Sequence, residues 1–284
     1  MPDTREIYQS RADDYDALVR CEDREGNLLR AIQAIIPLKG LEVAELGAGT
    51  GRLTLLLAPL VRSIRAFDIA APMVDVARRH VARLNIRNCD IGVADNASLP
   101  LPDCIADLAI AGWTYGHQTV WKEDGWRQPI EMAIHEMRRV LRPEGTAIII
   151  ETLGTGHTAP FNPPAQLARY YNLLAHELGF ERTWIRSDYE FPSMTDGERL
   201  LLLFFGEELA KAFVTNGSCV LPECTGLWWR KRRRPLRARH ASSGAGRKGT
   251  RVVIALTVGS GPTRRSAADA TSRAPMLQAS FCAM

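Results

Sequence analysis

The segment Glu45-Leu46-Gly47-Ala48-Gly49-Thr50-Gly51 carries the clearest chemistry in this sequence. Glycines at alternate positions let the backbone turn sharply and approach a ligand closely, because side chains there would stand in the way. An apolar run before the loop and helical spacing after it make this a nucleotide-type site. A dinucleotide fingerprint would place a third glycine at position 52, where this chain has Arg52. Glu45 stands two positions ahead of the first glycine. A carboxylate there repels a pyrophosphate and suits a ligand with positive charge.

Further polar residues follow at the ends of later apolar runs. Asp68, with Ile69 beside it, can accept two hydrogen bonds from ribose hydroxyls or cap the helix that follows. Asp95, with Asn96 alongside, can accept from an adenine amino group or simply hold a turn. Trp113 and His117 lie in Ala111-Gly112-Trp113-Thr114-Tyr115-Gly116-His117, at the carboxyl edge where ligands bind in open parallel sheets. His117 has the ordinary pKa of a base near neutral pH, and the competing role is structural. Trp113 faces a cationic ligand or packs in the core. His157, after the fifth strand, is a second candidate base.

These residues need a scaffold, and the pattern from Leu41 to Leu153 supplies one. Short apolar runs alternate with helical periodicity, as in a parallel sheet covered on both faces. Strands are predicted at 41–46, 63–69, 89–93, 106–112 and 146–153. Helices are predicted at 53–60, 71–84 and 128–141, the last stopped by Arg142-Pro143-Glu144-Gly145. A helix over 164–178, a strand over 181–191, a helix over 196–215 and a last strand over 219–229 follow. The helix over 196–215 is a core helix or a lid over a small-molecule pocket.

Composition narrows the setting. The six cysteines show no metal-ligand spacing, so they read as reduced thiols and no metal is expected. Apolar runs are far shorter than the roughly 20 residues of a membrane span, and no secretory signal is read at the N-terminus, so a cytoplasmic location is expected. Residues 230–284 carry 13 Lys and Arg against the single acid Asp269, a net charge of +12. The preceding 229 residues hold 23 bases and 31 acids, a net of −8. The tail reads as basic and disordered. An acidic body argues against a nucleic-acid substrate, except through that tail.

Four motifs in register carry a resemblance: Val43 to Gly51; Asp68; Ala94-Asp95 with Leu99-Pro100-Leu101-Pro102-Asp103; and Glu136 to Gly145. Together they resemble the class I S-adenosylmethionine-dependent methyltransferases, of the group typified by ubiquinone- and menaquinone-biosynthesis enzymes. Tyr8, Ala12 and Asp14-Tyr15-Asp16 resemble that group's opening segment, whose aromatics cover the cofactor. The similarity spans about residues 5–229. It implies an α/β, Rossmann-like three-layer sandwich with a seven-stranded, mostly parallel sheet and an antiparallel last strand. Residues 1–229 would form the methyltransferase domain, with an N-terminal helical cap over about 1–38.

Carried over by position, Glu45, Gly47, Ala48, Gly49 and Gly51 line the methionine portion of S-adenosyl-L-methionine. Asp68 and Ile69 hold the ribose, Asp95 and Asn96 the adenine, while Tyr8 and Tyr15 cover the ligand. The implied reaction is methyl transfer to a small-molecule acceptor. A non-catalytic S-adenosylmethionine-binding protein is the alternative, and a nicotinamide oxidoreductase shares the coarse fold. Methyl transfer from a sulfonium needs a base only when the nucleophile must lose a proton.

Overall fold

Strands β1 (Glu42–Leu46) and β4 (Ala106–Gly112) run side by side through the middle of a parallel sheet, almost wholly buried. The sequence of β4, Ala-Asp-Leu-Ala-Ile-Ala-Gly, is a nearly continuous apolar run, as a strand covered on both faces must be, whereas β1, Glu-Val-Ala-Glu-Leu, buries Glu45 among its apolar residues. The computed structural model describes residues 4–122 and 124–232. Strands β2 (Ser63–Asp68) and β3 (Cys89–Val93) extend the sheet on one side and β5 (Leu141–Thr155) on the other.

Successive side chains of a strand point to opposite faces, and each face has its own helices. Val43, Leu108 and Ile148 pack with α3 (Asn27–Ile35), α4 (Arg52–Leu57) and α5 (Ala71–Arg83) through Ile32, Leu57 and Val74. Ala44, Ala109 and Ile149 pack on the other side with α7 (Arg127–Val140) and α8 (Ala165–Asn172) through Ile134, Met137 and Tyr170. The result is the expected three-layer sandwich.

Two further strands complete the sheet, β6 (Glu181–Arg186) at the edge and β9 (Glu223–Lys231) inserted antiparallel between β5 and β6. The order is β3-β2-β1-β4-β5-β9-β6, so the sheet is seven-stranded and mostly parallel, with the antiparallel last strand expected.

Several boundaries differ from those read in the sequence. The strand expected over 181–191 stops at Arg186, because Ser187 turns inward to hydrogen-bond Thr225 and Glu22. The chain resumes as β7 (Tyr189–Glu190), paired with β8 (Val220–Leu221) in a separate ribbon. The helix expected over 196–215 is two, α9 (Met194–Phe205) and α10 (Glu207–Asn216), divided at Gly206, whose φ of 89° no helix accommodates. After Asn172 the helix widens into a π turn over Leu173–Glu177. Pro222 delays the last strand, which then runs past Trp229, so Arg230 and Lys231, assigned to the tail by sequence, pair in the sheet with Ala147 and Thr146. The disorder expected of the remaining tail lies outside the described residues.

The N-terminal helices α1 (Thr4–Ser10) and α2 (Ala12–Val19) sit between α5 and α9. Asp16 and His80 Nε2 are 2.8 Å apart, Asp13 pairs with Arg79, and Asp14 pairs with Arg199 at 2.7 Å. Leu200, Leu201 and Phe204 of α9 bury Ile7 and Leu18, so this helix braces the N-terminal pair. Among the described residues no helix is long and apolar enough to cross a membrane.

Candidate functional site

The loop after β1 is strapped to the end of β2. The Ala48 amide donates to the Phe67 carbonyl at 2.9 Å, and the Gly49 amide donates to Asp68 Oδ2 at 2.8 Å. The other carboxylate oxygen, Oδ1, accepts from the Ala70 amide at 2.8 Å. Asp68 thus fixes the loop and opens α5, with lone pairs on both oxygens still available. Gly47 adopts φ 68°, and a Cβ on it would lie 1.9 Å from Thr114 Oγ1, so the close approach of the post-β4 loop demands glycine here.

A cavity of about 320 Å³ opens beside this loop, within the range of small-ligand pockets. Gly47, Asp68 and Ile69 line one side, and the Ile69 side chain is 67% exposed. Asn96 reaches the cavity with its Oδ1 buried and unpartnered. Tyr8 and His117 close it from above, with the Tyr8 hydroxyl 2.8 Å from His117 Nε2. On the far side of Gly47, a narrow cleft of about 20 Å³ is lined by Tyr15, Glu45, Ala48, Gly49 and Trp113, together with Arg52.

Three residues chosen from sequence are not brought to either space. Gly51 stands at the start of α4, where a Cβ would meet Ala77 at 3.1 Å. Asp95 is exposed and turns back to accept from the Ala97 amide at 2.8 Å. His157 lies away from the cavity, its ring stacked on Phe161 at 4.1 Å.

Burial sets the protonation of the rest. Glu45 is 1% exposed, accepts from Thr54 Oγ1 at 2.6 Å, and is pushed up to about 8 by desolvation. His117 is 4% exposed, and desolvation pushes it down to about 4 against a raising hydrogen bond to the Trp113 backbone. A neutral imidazole has one N–H; given to Trp113, it leaves Nε2 to accept from the Tyr8 hydroxyl. Beneath this turn, buried Glu151 accepts from the Tyr115 and Gly116 amides at 3.2 and 3.0 Å and from the Tyr170 hydroxyl at 3.1 Å. Desolvation raises it to about 8.

Sequence reasoning missed Gln9, Thr114, Gln118 and Trp121, which also line the cavity. Gln118 and Trp121 form one turn of helix, α6 (Gln118–Trp121), and Trp121 stacks on the His117 ring at 5.3 Å. The spacing of His117 and Trp121, four residues apart, is the signal that could have found this pair. Arg52, noticed only as a missing glycine, pairs with Glu22 at 2.6 Å and lies 4.1 Å over the Trp113 ring.

Residues 43–145 match the family model described as a methyltransferase domain. Over 146 residues the chain is 32% identical to a malonyl-[acyl-carrier protein] O-methyltransferase of Geobacter sulfurreducens, covering 50% of this chain and 49% of that protein. Over 111 residues it is 28% identical to the uncharacterized protein YafE of Escherichia coli, covering 39% of this chain and 49% of that one. The chain thus spans about half the length of these curated relatives. A solved SAM-dependent methyltransferase from Aquifex aeolicus aligns over 73% of this chain and 93% of its own at 17% identity, with a TM-score of 0.46.

Proposed function

We propose that this chain, whose residues 43–145 match a methyltransferase domain, is a class I methyltransferase that binds S-adenosyl-L-methionine and transfers its methyl group to a small-molecule acceptor. The observation that carries this is the cavity beside the glycine loop. There Asp68 offers carboxylate lone pairs for ribose hydroxyls, Ile69 offers an apolar surface for a base, and Asn96 Oδ1 waits for a donor such as an adenine amino group. Gly47 lines both the cavity and the cleft, so a ligand that occupied both would run past it. The quinone-biosynthesis group is the finer reading, supported by Leu99 to Asp103 and Glu136 to Gly145.

When bound, S-adenosylmethionine supplies a methyl group already activated on a sulfonium. The protein's task is then to align the acceptor and exclude water. Tyr8 and Tyr15, which line the cavity and the cleft respectively, serve the second need. His117 is the candidate catalytic residue, and its burial restricts what it can do. At about 4 it is neutral at pH 7 and a weak base, so it orients the Tyr8 hydroxyl and suits an acceptor that brings its own electron pair. The acidic body argues for a small acceptor over nucleic acid. A cytoplasmic setting belongs to the same reading, supported by the unbonded thiols of Cys21, Cys89 and Cys224.

Calorimetric titration with S-adenosylhomocysteine, followed by a labelled-methyl assay over fractionated metabolites, tests this. Binding together with label in a small molecule is the expected result. Binding without transfer to any fraction would favour a non-catalytic binding protein, and no binding would overturn both readings.

A further inference from the structure

Helix α6 is a single turn that carries Gln118 and Trp121 into the cavity wall, with His117 directly ahead of it. One turn of helix does not hold itself, because it fixes several dihedrals for few hydrogen bonds. Its own backbone supplies short bonds, such as Thr119 N–H to the Gly116 carbonyl at 3.1 Å and Trp121 N–H to the His117 carbonyl at 3.0 Å. The amides of Tyr115 and Gly116 donate instead to a side chain from another element, Glu151 Oε1 on β5, at 3.2 and 3.0 Å. The same oxygen accepts from the Tyr170 hydroxyl of α8 at 3.1 Å.

Glu151 is 1% exposed, and its second oxygen, Oε2, is buried with no hydrogen-bond partner. A carboxyl in such a place is costly, so its presence needs a reason beyond filling space. Burial raises it to about 8, which keeps it protonated at neutral pH. With three donors already on Oε1, the proton belongs on Oε2. Gly116 packs against that side as well, since a Cβ on it would lie 3.0 Å from Oε2. The turn is thus bonded to one oxygen and pressed against the other. The next residue is His117, whose Nε2 meets the Tyr8 hydroxyl at 2.8 Å and whose ring stacks on Trp121. A shift of the Tyr115–Gly116 turn therefore moves His117, Gln118 and Trp121 together.

We propose that Glu151 is a positioning residue for methyl transfer: it lines neither the cavity nor the cleft, but through the Tyr115–Gly116 turn it holds His117 and Trp121 where the acceptor is aligned. This deepens the methyl-transfer reading above and rests on it. The competing role is a purely structural tie between β5 and α8, with the Tyr170 hydroxyl as the partner that matters.

Four variants of the full chain separate the two roles. Glu151→Leu removes the acceptor, and Gly116→Ala pushes the turn off a carboxyl that remains. Glu151→Gln keeps an acceptor with the shape of the protonated acid, and Tyr170→Phe removes only the donor from α8. Each is read by nitrogen-15 NMR of the His117 ring across pH, and by labelled-methyl transfer into the metabolite fraction that the unmodified chain labels. In the unmodified chain burial keeps the ring neutral down to about 4. Glu151→Leu and Gly116→Ala should each free it to protonate closer to its ordinary 6.5. Both should slow transfer about 10- to 100-fold at saturating S-adenosylmethionine, the cost of misplacing aligned groups, while S-adenosylhomocysteine affinity changes less than about threefold. Glu151→Gln should restore ring and rate relative to Glu151→Leu. Tyr170→Phe should lower the melting temperature by about 2–4 °C and move neither. If Glu151→Leu does not fold, Gly116→Ala carries the comparison. A His117 ring unmoved by loss of the turn contact, a transfer rate that holds while the ring moves, or equal effects from Tyr170→Phe overturns the inference alone. Failure of the unmodified chain to bind S-adenosylhomocysteine, or to label any fraction, overturns the transfer reading and this inference with it.

Discussion

The Tyr8 hydroxyl meets His117 Nε2 at 2.8 Å, joining the first helix to the loop after β4 across 109 positions of sequence. The same tyrosine ring makes T-shaped contacts with Tyr15 at 5.4 Å and with Trp121 at 6.3 Å. One hydrogen bond thus closes an aromatic roof over the cavity.

Removing that hydroxyl with Tyr8→Phe keeps the ring and leaves Nε2 without its donor. A loss of about 1 kcal/mol is expected, which for a chain of this size lowers the melting temperature by about 2–4 °C. Thermal melts and S-adenosylhomocysteine titration should both register it. An unchanged melt would show that the contact contributes nothing to the closed roof.

Gly47→Ala sets a Cβ against Thr114 and imposes φ 68° on an ordinary residue. A destabilisation of about 2 kcal/mol or more is expected, with cofactor binding lost. Adding Thr114→Gly should restore the steric part and leave the backbone part. Full rescue would mean that the positive φ is not required.

Asn96 and Asp95 make opposing expectations at one spot. Asn96→Ala removes the unpartnered acceptor in the cavity and should weaken S-adenosylhomocysteine about tenfold, the worth of one well-placed hydrogen bond. Asp95→Ala removes only an exposed turn contact to the Ala97 amide and should cost less than about threefold. The reverse order would return the adenine contact to Asp95.

Stability should depend on pH in two opposed ways. Burial pushes Glu45 and Glu151 from 4.5 up to about 8 and raises Glu223. Between those limits the folded chain keeps protons the unfolded chain has lost, so their contribution is full below 4.5 and is lost as pH rises through about 8. His117, pushed from 6.5 down to about 4, contributes above 6.5 and loses that contribution as pH falls toward 4. The three carboxyls outweigh the one imidazole, so the melting temperature of the ligand-free chain should fall steadily from about pH 5 to pH 8.5, by several degrees at about 2–4 °C per kcal/mol. Glu151→Gln, which retains an acceptor for the Tyr115 and Gly116 amides, should shrink the alkaline fall. A melt that rises toward pH 8.5 contradicts this account.

What the sequence made visible follows from where local rules decide. Cys89–Val93 and Ala106–Gly112 are strands at the expected residues, because a short apolar run between breakers leaves little choice. Gly47 and Asp68 came to the cavity because a tight loop and a strand end place them there. Asp95 did not, since the turn after β3 directs the next side chain, Asn96, inward. The break at Gly206 was hidden because its flanks share one apolar spacing across the interruption. The partnership of Arg52 with Glu22 and Trp113, like that of Tyr8 with His117, depends on packing between distant segments. No spacing rule reaches that far.

The reversed direction of β9 sets where positive charge enters the molecule. Thr146, near the start of β5, pairs with Lys231, whereas Thr152, toward the ligand edge, pairs with Thr225. Six residues of strand separate these rungs, about 20 Å. Arg232 accordingly sits at the opposite rim, its amide donating to the Gly145 carbonyl at 2.8 Å. The sheet itself acts as a spacer: Arg230, Lys231 and Arg232, where the basic stretch begins, lie a strand's length from the edge of the sheet that carries the glycine loop.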